Sequence, residues 1–402
     1  MTRPDDALSL HRQTLAVRAG VEPSQYGENS EALYLSSGFL QPDATTSARR
    51  FAGEEEGYTY GRSGNPTLTA FEQRLAALEG SEAAMATASG MAAIMLMCFS
   101  LLKAGDHVII SQSMFGSTLK LIGSEFGRFG VETSVVSQTD VQAWAQAIRP
   151  NTRLLFAETP TNPLTEVCDI AALADIAHNA GAWLAVDNSF ASPALQRPIE
   201  LGADIVMHSG TKYLDGQGRV MAGSLCATAQ MVNEKFLPVQ KNSGMILSPF
   251  NAWVVLKGLE TLDLRMRAQS ALALELAAWM ESHPAVARVY YPGLPSHPQH
   301  ALAMRQMSAG GAVLSFEVKA YNAEQARQRA FHVLDSMKTL SLCTNLGDTK
   351  TLVAHPASTS HGKLTEAQRQ AAGIGQGLIR VAVGLEHPED VRADLARGLD
   401  TL

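Results

Sequence analysis

The sequence predicts an α/β protein with a large, mainly parallel sheet flanked by helices, followed by a smaller C-terminal α+β unit. From Thr67 onward short apolar runs alternate with helical patterns, the order expected of strand–helix–strand units. The runs, such as His107–Ser111 and Trp183–Asp187, are apolar nearly throughout instead of at every second position. That implies burial on both faces, and hence a parallel sheet covered by helices on each side. At 402 residues, 46% apolar and 18% charged, the chain is long enough for two domains with large cores.

In chain order, residues 1–57 carry little periodicity, and 28–30, 36–38 and 53–57 read as loop. A long irregular arm of this kind wraps something, and a neighbouring subunit is the expected partner. The large domain is placed at 58–255. It comprises helix 67–79, helix 90–103, strand 107–111, helix 117–126, strand 131–136, helix 140–148, strand 153–158 and helix 169–180, then strands 183–187, 203–208 and 223–227. A helical stretch from about 249 to 282, dense in Ala and Leu, links to the remainder of a third part at 256–402. There the pattern reads strand 286–291, helix 298–307, strand 312–318, helix 322–335, strand 378–383 and a closing helix 388–401. Ligands of open α/β sheets lie beyond the carboxyl ends of the strands. Asp187 and His208 fall at such ends, so chemistry is expected beside them.

Composition narrows the partners. With 32 Lys and Arg against 39 Asp and Glu, the net charge is −7, which offers no basic footprint for nucleic acid or an anionic membrane. Residues 1–13 lack the apolar core of a signal peptide and no run reaches membrane-spanning length, so a cytoplasmic address is expected. Cys98, Cys168, Cys226 and Cys343 are scattered without metal-ligand or redox spacing, and read as buried thiols. No metal site is expected.

The chemistry begins with Lys212, in Met207-His208-Ser209-Gly210-Thr211-Lys212, twenty-five residues after Asp187. Pyridoxal phosphate needs a lysine amine to hold its aldehyde and a carboxylate to keep its ring nitrogen protonated. Ser209 and Thr211, flanking Gly210, suit a phosphate approached at close range. Taken singly, a lysine after a strand or an aspartate closing one is more often a surface or turn residue. A third signal changes that balance. Ala88-Ser89-Gly90-Met91-Ala92 opens a long apolar run, and a helix starting there offers free N–H groups and its positive end to an anion.

Five runs then carry a family resemblance: Tyr58 to Thr67, Glu158 to Pro163, Asp187 to Pro193, Ser209 to Lys212 and Arg380 to Glu386. Together they resemble the Cys/Met-metabolism family of pyridoxal phosphate enzymes, over about residues 35 to 400. The resemblance implies an aspartate-aminotransferase-like fold (fold type I) with a seven-stranded large sheet. It also implies a homotetramer, a dimer of dimers, whose active sites draw on both subunits of a dimer. It makes Lys212 the cofactor lysine and proton carrier, and Asp187 the partner of the ring nitrogen. Ser89, Gly90, Met91, Ser209 and Thr211 would hold the phosphate, with Tyr60 and Arg62 reaching it from the neighbouring subunit. Asn162 would lie near the ring hydroxyl, while Arg380, with Ser341, would bind substrate, Arg380 as a fork on the α-carboxylate. Without the resemblance, Arg62 reads as a loop salt bridge and Asn162 as a turn former before Pro163.

Departures from the family pattern narrow the reaction. Phe115 stands where many members have a stacking tyrosine, and a phenyl ring stacks without a hydroxyl for acid or base work. Asp215-Gly-Gln-Gly-Arg219 and Asn345-Leu-Gly-Asp-Thr-Lys350 replace runs common among the lyases. Both resemble the homoserine-ester sulfhydrylases, the first in particular those acting on O-succinylhomoserine. The implied reaction is a γ-replacement of succinate by sulfide giving homocysteine. The alternatives are an acetyl ester, cystathionine synthesis, and a lyase splitting cystathionine or methionine. A succinyl group calls for a cation near the leaving group, and Arg49, Arg219 and Lys350 are the candidates.

Overall fold

A computed structural model describes residues 10–362 and 364–402. The large sheet has seven strands: β1 (Ala83–Thr87), β2 (His107–Ser111), β3 (Glu132–Val136), β4 (Thr152–Glu158), β5 (Trp183–Asp187), β6 (Ile205–Ser209) and β7 (Gly223–Ala227). Their order is β1-β7-β6-β5-β4-β2-β3, and only β7 runs against the others. Alternate residues point to opposite faces of a strand, and here both faces are apolar. Val108, Ile110, Phe156 and Ala185 pack beneath the Gly90–Leu101 helix, whereas Ile109, Leu155, Leu184 and Val186 pack with the Ile170–Asn179 helix. This two-sided burial is why the strands lack polar alternation.

β1 is an element that the sequence pattern did not show. Its run Ala83-Ala84-Met85-Ala86-Thr87 has weak strand preference, yet it pairs residue for residue with β7. Close approach secures it: a Cβ at Gly223 of β7 would fall 2.1 Å from the Ser89 carbonyl oxygen. The turn leading into the Gly90–Leu101 helix is thereby held against the end of β7.

The helical stretch expected over about 249–282 is two helices, Pro249–Leu259 and Leu262–Ser282. Gly258 lies against the chain after Lys212, where a Cβ would meet the Leu214 carbonyl oxygen at 2.4 Å. The Gly258 carbonyl accepts from Arg265 Nη2 at 2.7 Å, so a side chain occupies the acceptor at the break. The first helix packs on the Pro66–Glu79 helix of the large body. The second covers the small sheet, where Leu272, Leu276 and Met280 join Leu314, Phe316, Ile379 and Val381 in one core.

That small sheet comprises β8 (Val286–Tyr290), β9 (Val313–Val318), β10 (Ser341–Leu342), β11 (Leu352–Ala354) and β12 (Leu378–Ala382), in the order β10-β11-β12-β9-β8. The N-terminal arm is less irregular than its sequence implies. It holds helices Arg12–Arg18 and Ala44–Ala52, and Leu15 and Ala16 enter the main core. Among the described residues no helix is long and apolar enough to cross a membrane.

Candidate active site

β4, β5 and β6 end side by side, and a cavity of about 710 Å³ opens beyond their carboxyl ends. Glu158 and Asp187, the last residues of β4 and β5, are direct register partners. Met207 and Ser209 of β6 line the cavity. His208, between them, points to the opposite face, as strand alternation requires. There it meets Glu79 Oε1 at 2.5 Å with both side chains fully buried, so the chemistry expected beside His208 belongs to its neighbours.

Asp187 Oδ1 accepts from the Ser189 N–H at 3.0 Å and the Ser189 hydroxyl at 2.5 Å. Burial raises its carboxyl, against the pull of Ser189. Burial, and then the neighbouring Asp187, push Glu158 up to about 8. A cation placed against Asp187 relieves both effects, because an opposite charge favours the ionised form. Lys212 reaches the same cavity. Burial first and Arg380 second bring its amine down to about 8, opposed by Cys343 and Asp187. Lys212 Nζ donates to Asn345 Oδ1 at 2.6 Å.

The small sheet closes the site. Arg380 on β12 is buried, and its Nη1 donates to Asn162 Oδ1 at 3.1 Å. Its Nη2 donates to the carbonyls of Thr344 and Asn345 at 3.0 and 2.9 Å. Arg380 Nε is buried without any partner, a donor that asks for a ligand oxygen. Phe115, at the cavity wall, donates its N–H to Glu158 Oε2 at 2.9 Å, and Asn162 donates its own to Glu158 Oε1 at 3.1 Å. At the other end Ser89 caps the Gly90–Leu101 helix by accepting from the Ala92 N–H at 3.1 Å. The first-turn N–H groups of Gly90 and Met91 have no partner within a helix, and both residues line the cavity with Ser209 and Thr211.

An anion cradle, a carboxylate for a ring nitrogen, a lysine with a lowered amine, an aromatic wall and an unmatched arginine donor make a donor set that fits pyridoxal phosphate. The fold and site therefore define a pyridoxal phosphate enzyme. The family model described as "Cys/Met metabolism PLP-dependent enzyme" matches residues 13–400, and the chain belongs to that family. It is 54% identical over 389 residues, 97% of this chain and 95% of the relative, to the O-succinylhomoserine sulfhydrylase of Pseudomonas aeruginosa. To an L-methionine gamma-lyase of Fusobacterium nucleatum it is 41% identical, over 97% of this chain and 98% of that one. The crystal structure of metB from Corynebacterium glutamicum superposes with a TM-score of 0.92 at 36% identity, covering 98% of this chain and 99% of that one. The architecture is accordingly fold type I, as the sequence motifs implied.

Of the residues singled out in the sequence, Ser89, Gly90, Met91, Phe115, Asn162, Asp187, Ser209, Thr211, Lys212 and Arg380 converge on the cavity. Six do not line it in their own chain. Ser341 lies on β10. Arg219 bridges Asp215 Oδ1 at 2.8 Å and the Val254 carbonyl at 3.2 Å. Lys350 pairs with Asp348 at 3.2 Å and Arg49 with Glu55. Tyr60 is exposed, with the Arg62 guanidinium 5.4 Å from its ring centroid and donating to the Lys241 carbonyl. Glu158, Ser189, Thr344 and Asn345 line the cavity without having been assigned roles. Glu158 had a readable signal, since it closes an apolar strand as Asp187 does. Among the described residues no group of side chains could hold a metal ion, and the four cysteines form no disulfide.

Proposed function

We propose that the chain is an O-succinylhomoserine sulfhydrylase, replacing the succinate on Cγ of O-succinylhomoserine by sulfide to give homocysteine for methionine biosynthesis. It works as a cytoplasmic homotetramer, a dimer of dimers. The observation that carries the reading is that Lys212, Asp187 and Arg380 share one cavity finished by Phe115 and Asn345. Those last two are positions where the chain departs from the lyase pattern. The strong similarity to a sulfhydrylase supports the same conclusion.

When bound, pyridoxal phosphate supplies an electron-accepting ring that stores the pair left as Cα and then Cβ lose protons. Asp187 holds the proton on the ring nitrogen. Ser89, Gly90, Met91, Ser209 and Thr211 hold the phosphate, joined by Tyr60 and Arg62 from a neighbouring subunit. Lys212, freed by the substrate amine, would take the proton from Cα, give it up again within the site to return to the neutral amine, and then take one from Cβ. Its amine, lowered to about 8, is partly neutral near neutral pH. Arg380 forks the α-carboxylate, beside Asn162. Phe115 stacks without donating a proton, which suits succinate: a carboxylate leaves as a stable anion, whereas a departing thiolate benefits from an acid. The succinyl carboxylate calls for a cation. Arg219 is tied to Asp215, Lys350 to Asp348 and Arg49 to Glu55, so intrachain pairing does not choose among them; Arg49, on the arm and able to be supplied across a subunit boundary, is the one we test.

The test supplies the purified enzyme with O-succinylhomoserine or O-acetylhomoserine, with and without sulfide, and repeats it with Arg49→Gln. Sulfide-dependent homocysteine, faster from the succinyl ester, is expected, with the preference narrowed in R49Q. Keto acid and ammonia formed faster when methionine is supplied in place of the esters, without sulfide, would move the assignment to a lyase, and an unchanged preference in R49Q would remove Arg49 from it.

A further inference from the structure

We propose that Asn345 is a positioning residue for the catalytic lysine, its side-chain oxygen receiving the Lys212 amine whenever that amine is free. The contact is short, 2.6 Å from Lys212 Nζ to Asn345 Oδ1, and joins residues 133 positions apart. An amide oxygen only accepts. The neutral amine must therefore spend an N–H on it, which keeps the nitrogen lone pair off Asn345 and available for a substrate proton in the cavity.

The main chain carrying Asn345 is fixed from several sides. Its own main-chain carbonyl accepts from Arg380 Nη2 at 2.9 Å. Two residues on, Gly347 has φ +81° and lies so close to the lysine turn that a Cβ would fall 2.6 Å from the Lys212 carbonyl carbon. Next, the Asp348 carbonyl accepts from Gln269 at 2.8 Å. The loop between β10 and β11 is thus moulded onto the backbone of Lys212, and Asn345 is the side chain it presents to the amine.

A neutral partner suits a base. The charged and titratable groups around Lys212 are Asp187 and Glu158 from the large sheet, and Arg380 and Cys343 from the small domain. A carboxylate in the place of Asn345 would favour the ammonium and hold the proton that the lysine must lose. An amide orients the amine without that penalty.

The inference rests on Lys212 being the cofactor lysine, which Lys212→Ala tests separately: that variant should lose the visible band of the lysine-bound cofactor. For Asn345 the variants are Asn345→Leu and Asn345→Asp, compared with wild type as cofactor-free and loaded enzyme. In cofactor-free enzyme the rate at which added pyridoxal phosphate is captured reports the free amine against pH. The wild-type midpoint is expected near about 8, and N345D should move it up by about one pH unit. N345L, lacking the acceptor, should lower kcat about tenfold. Its KM for the ester should stay within about twofold, because Arg380 keeps its main-chain acceptors. An N345L enzyme with wild-type kcat, or an N345D capture profile overlying wild type, would overturn the proposal. If N345L fails to fold, the N345D profile decides alone.

Discussion

Arg380 shows how one side chain can be both rigid and incomplete. Three main-chain and side-chain oxygens hold its two terminal nitrogens, while its Nε is buried and unmatched. Such a group is oriented before substrate arrives and gains a hydrogen bond when it does. Arg380→Lys keeps the charge but loses the planar fork. We expect KM for the ester to rise roughly 10- to 100-fold, with the visible cofactor band unchanged, as steady-state kinetics and absorbance would check. An unchanged KM would place the α-carboxylate elsewhere. Lys212 and Asp187 were singled out by the runs they sit in and Arg380 by the family resemblance, and all three line the cavity. Asn345 and Glu158 were not assigned, for a different reason in each case. Glu158 closes an apolar strand as Asp187 does, but that it faces Asp187 follows from the β4–β5 register. The run from Asn345 to Lys350 stood out as a departure from the lyase pattern, but the tie of Asn345 to Lys212 is a contact spanning 133 residues, which no local pattern announces. Likewise Arg219 reads as a free cation in the sequence, but the fold gives it to Asp215.

At the level of elements, the parallel strands were readable because burial on both faces leaves a continuous apolar run. β1 was not, since its alanines encode neither a period nor a strand preference, and pairing with β7 decides its state. The break between Pro249–Leu259 and Leu262–Ser282 was hidden for a similar reason: apolar composition continues through it, and the cause is Arg265 bonding the Gly258 carbonyl. The arm is the third case. Its attachment includes Glu31, which bonds Arg74 and also Lys257 at 2.7 Å, with 7% of its side chain exposed. Burial works to raise the Glu31 carboxyl, but the hydrogen bonds from Lys257 and Arg74 prevail and lower it to about 2. A carboxyl lowered from 4.5 to about 2 on folding stabilises the fold fully above pH 4.5. That contribution disappears as pH falls through about 2. Glu31→Gln should therefore lower stability by about 3 kcal/mol near neutral pH, and the difference from wild type should shrink on acidification below about pH 4. Denaturant unfolding at several pH values would measure this. A deficit that did not change with pH would mean that shape, not charge, anchors the arm.

The whole molecule carries a surface that one chain does not use. Leu35, Leu40 and Phe51 of the arm are 65%, 100% and 73% exposed, and Tyr60 just beyond it is 47% exposed. Large apolar side chains left exposed along one stretch of chain are a feature of subunit contacts. Tyr60 and Arg62, absent from the cavity of their own chain, lie at the end of the same stretch. If they complete the phosphate site of a neighbouring subunit, two inactive proteins should rescue one another. Lys212→Ala removes the lysine, and Arg62→Ala removes the donated cation. In a hybrid dimer one site then carries both defects and the other carries neither. Unfolding an equal mixture and refolding it together should restore about a quarter of wild-type activity, because half the dimers are hybrids with one sound site each. Refolding the two proteins separately and then mixing should restore nothing unless subunits exchange, which sedimentation of differently tagged chains would reveal. If Arg62 served only its own chain, every subunit in the hybrid would carry one defect and co-refolding would give no activity. The experiment thus reads the geometry of a shared active site from activity alone, whatever ester the enzyme prefers.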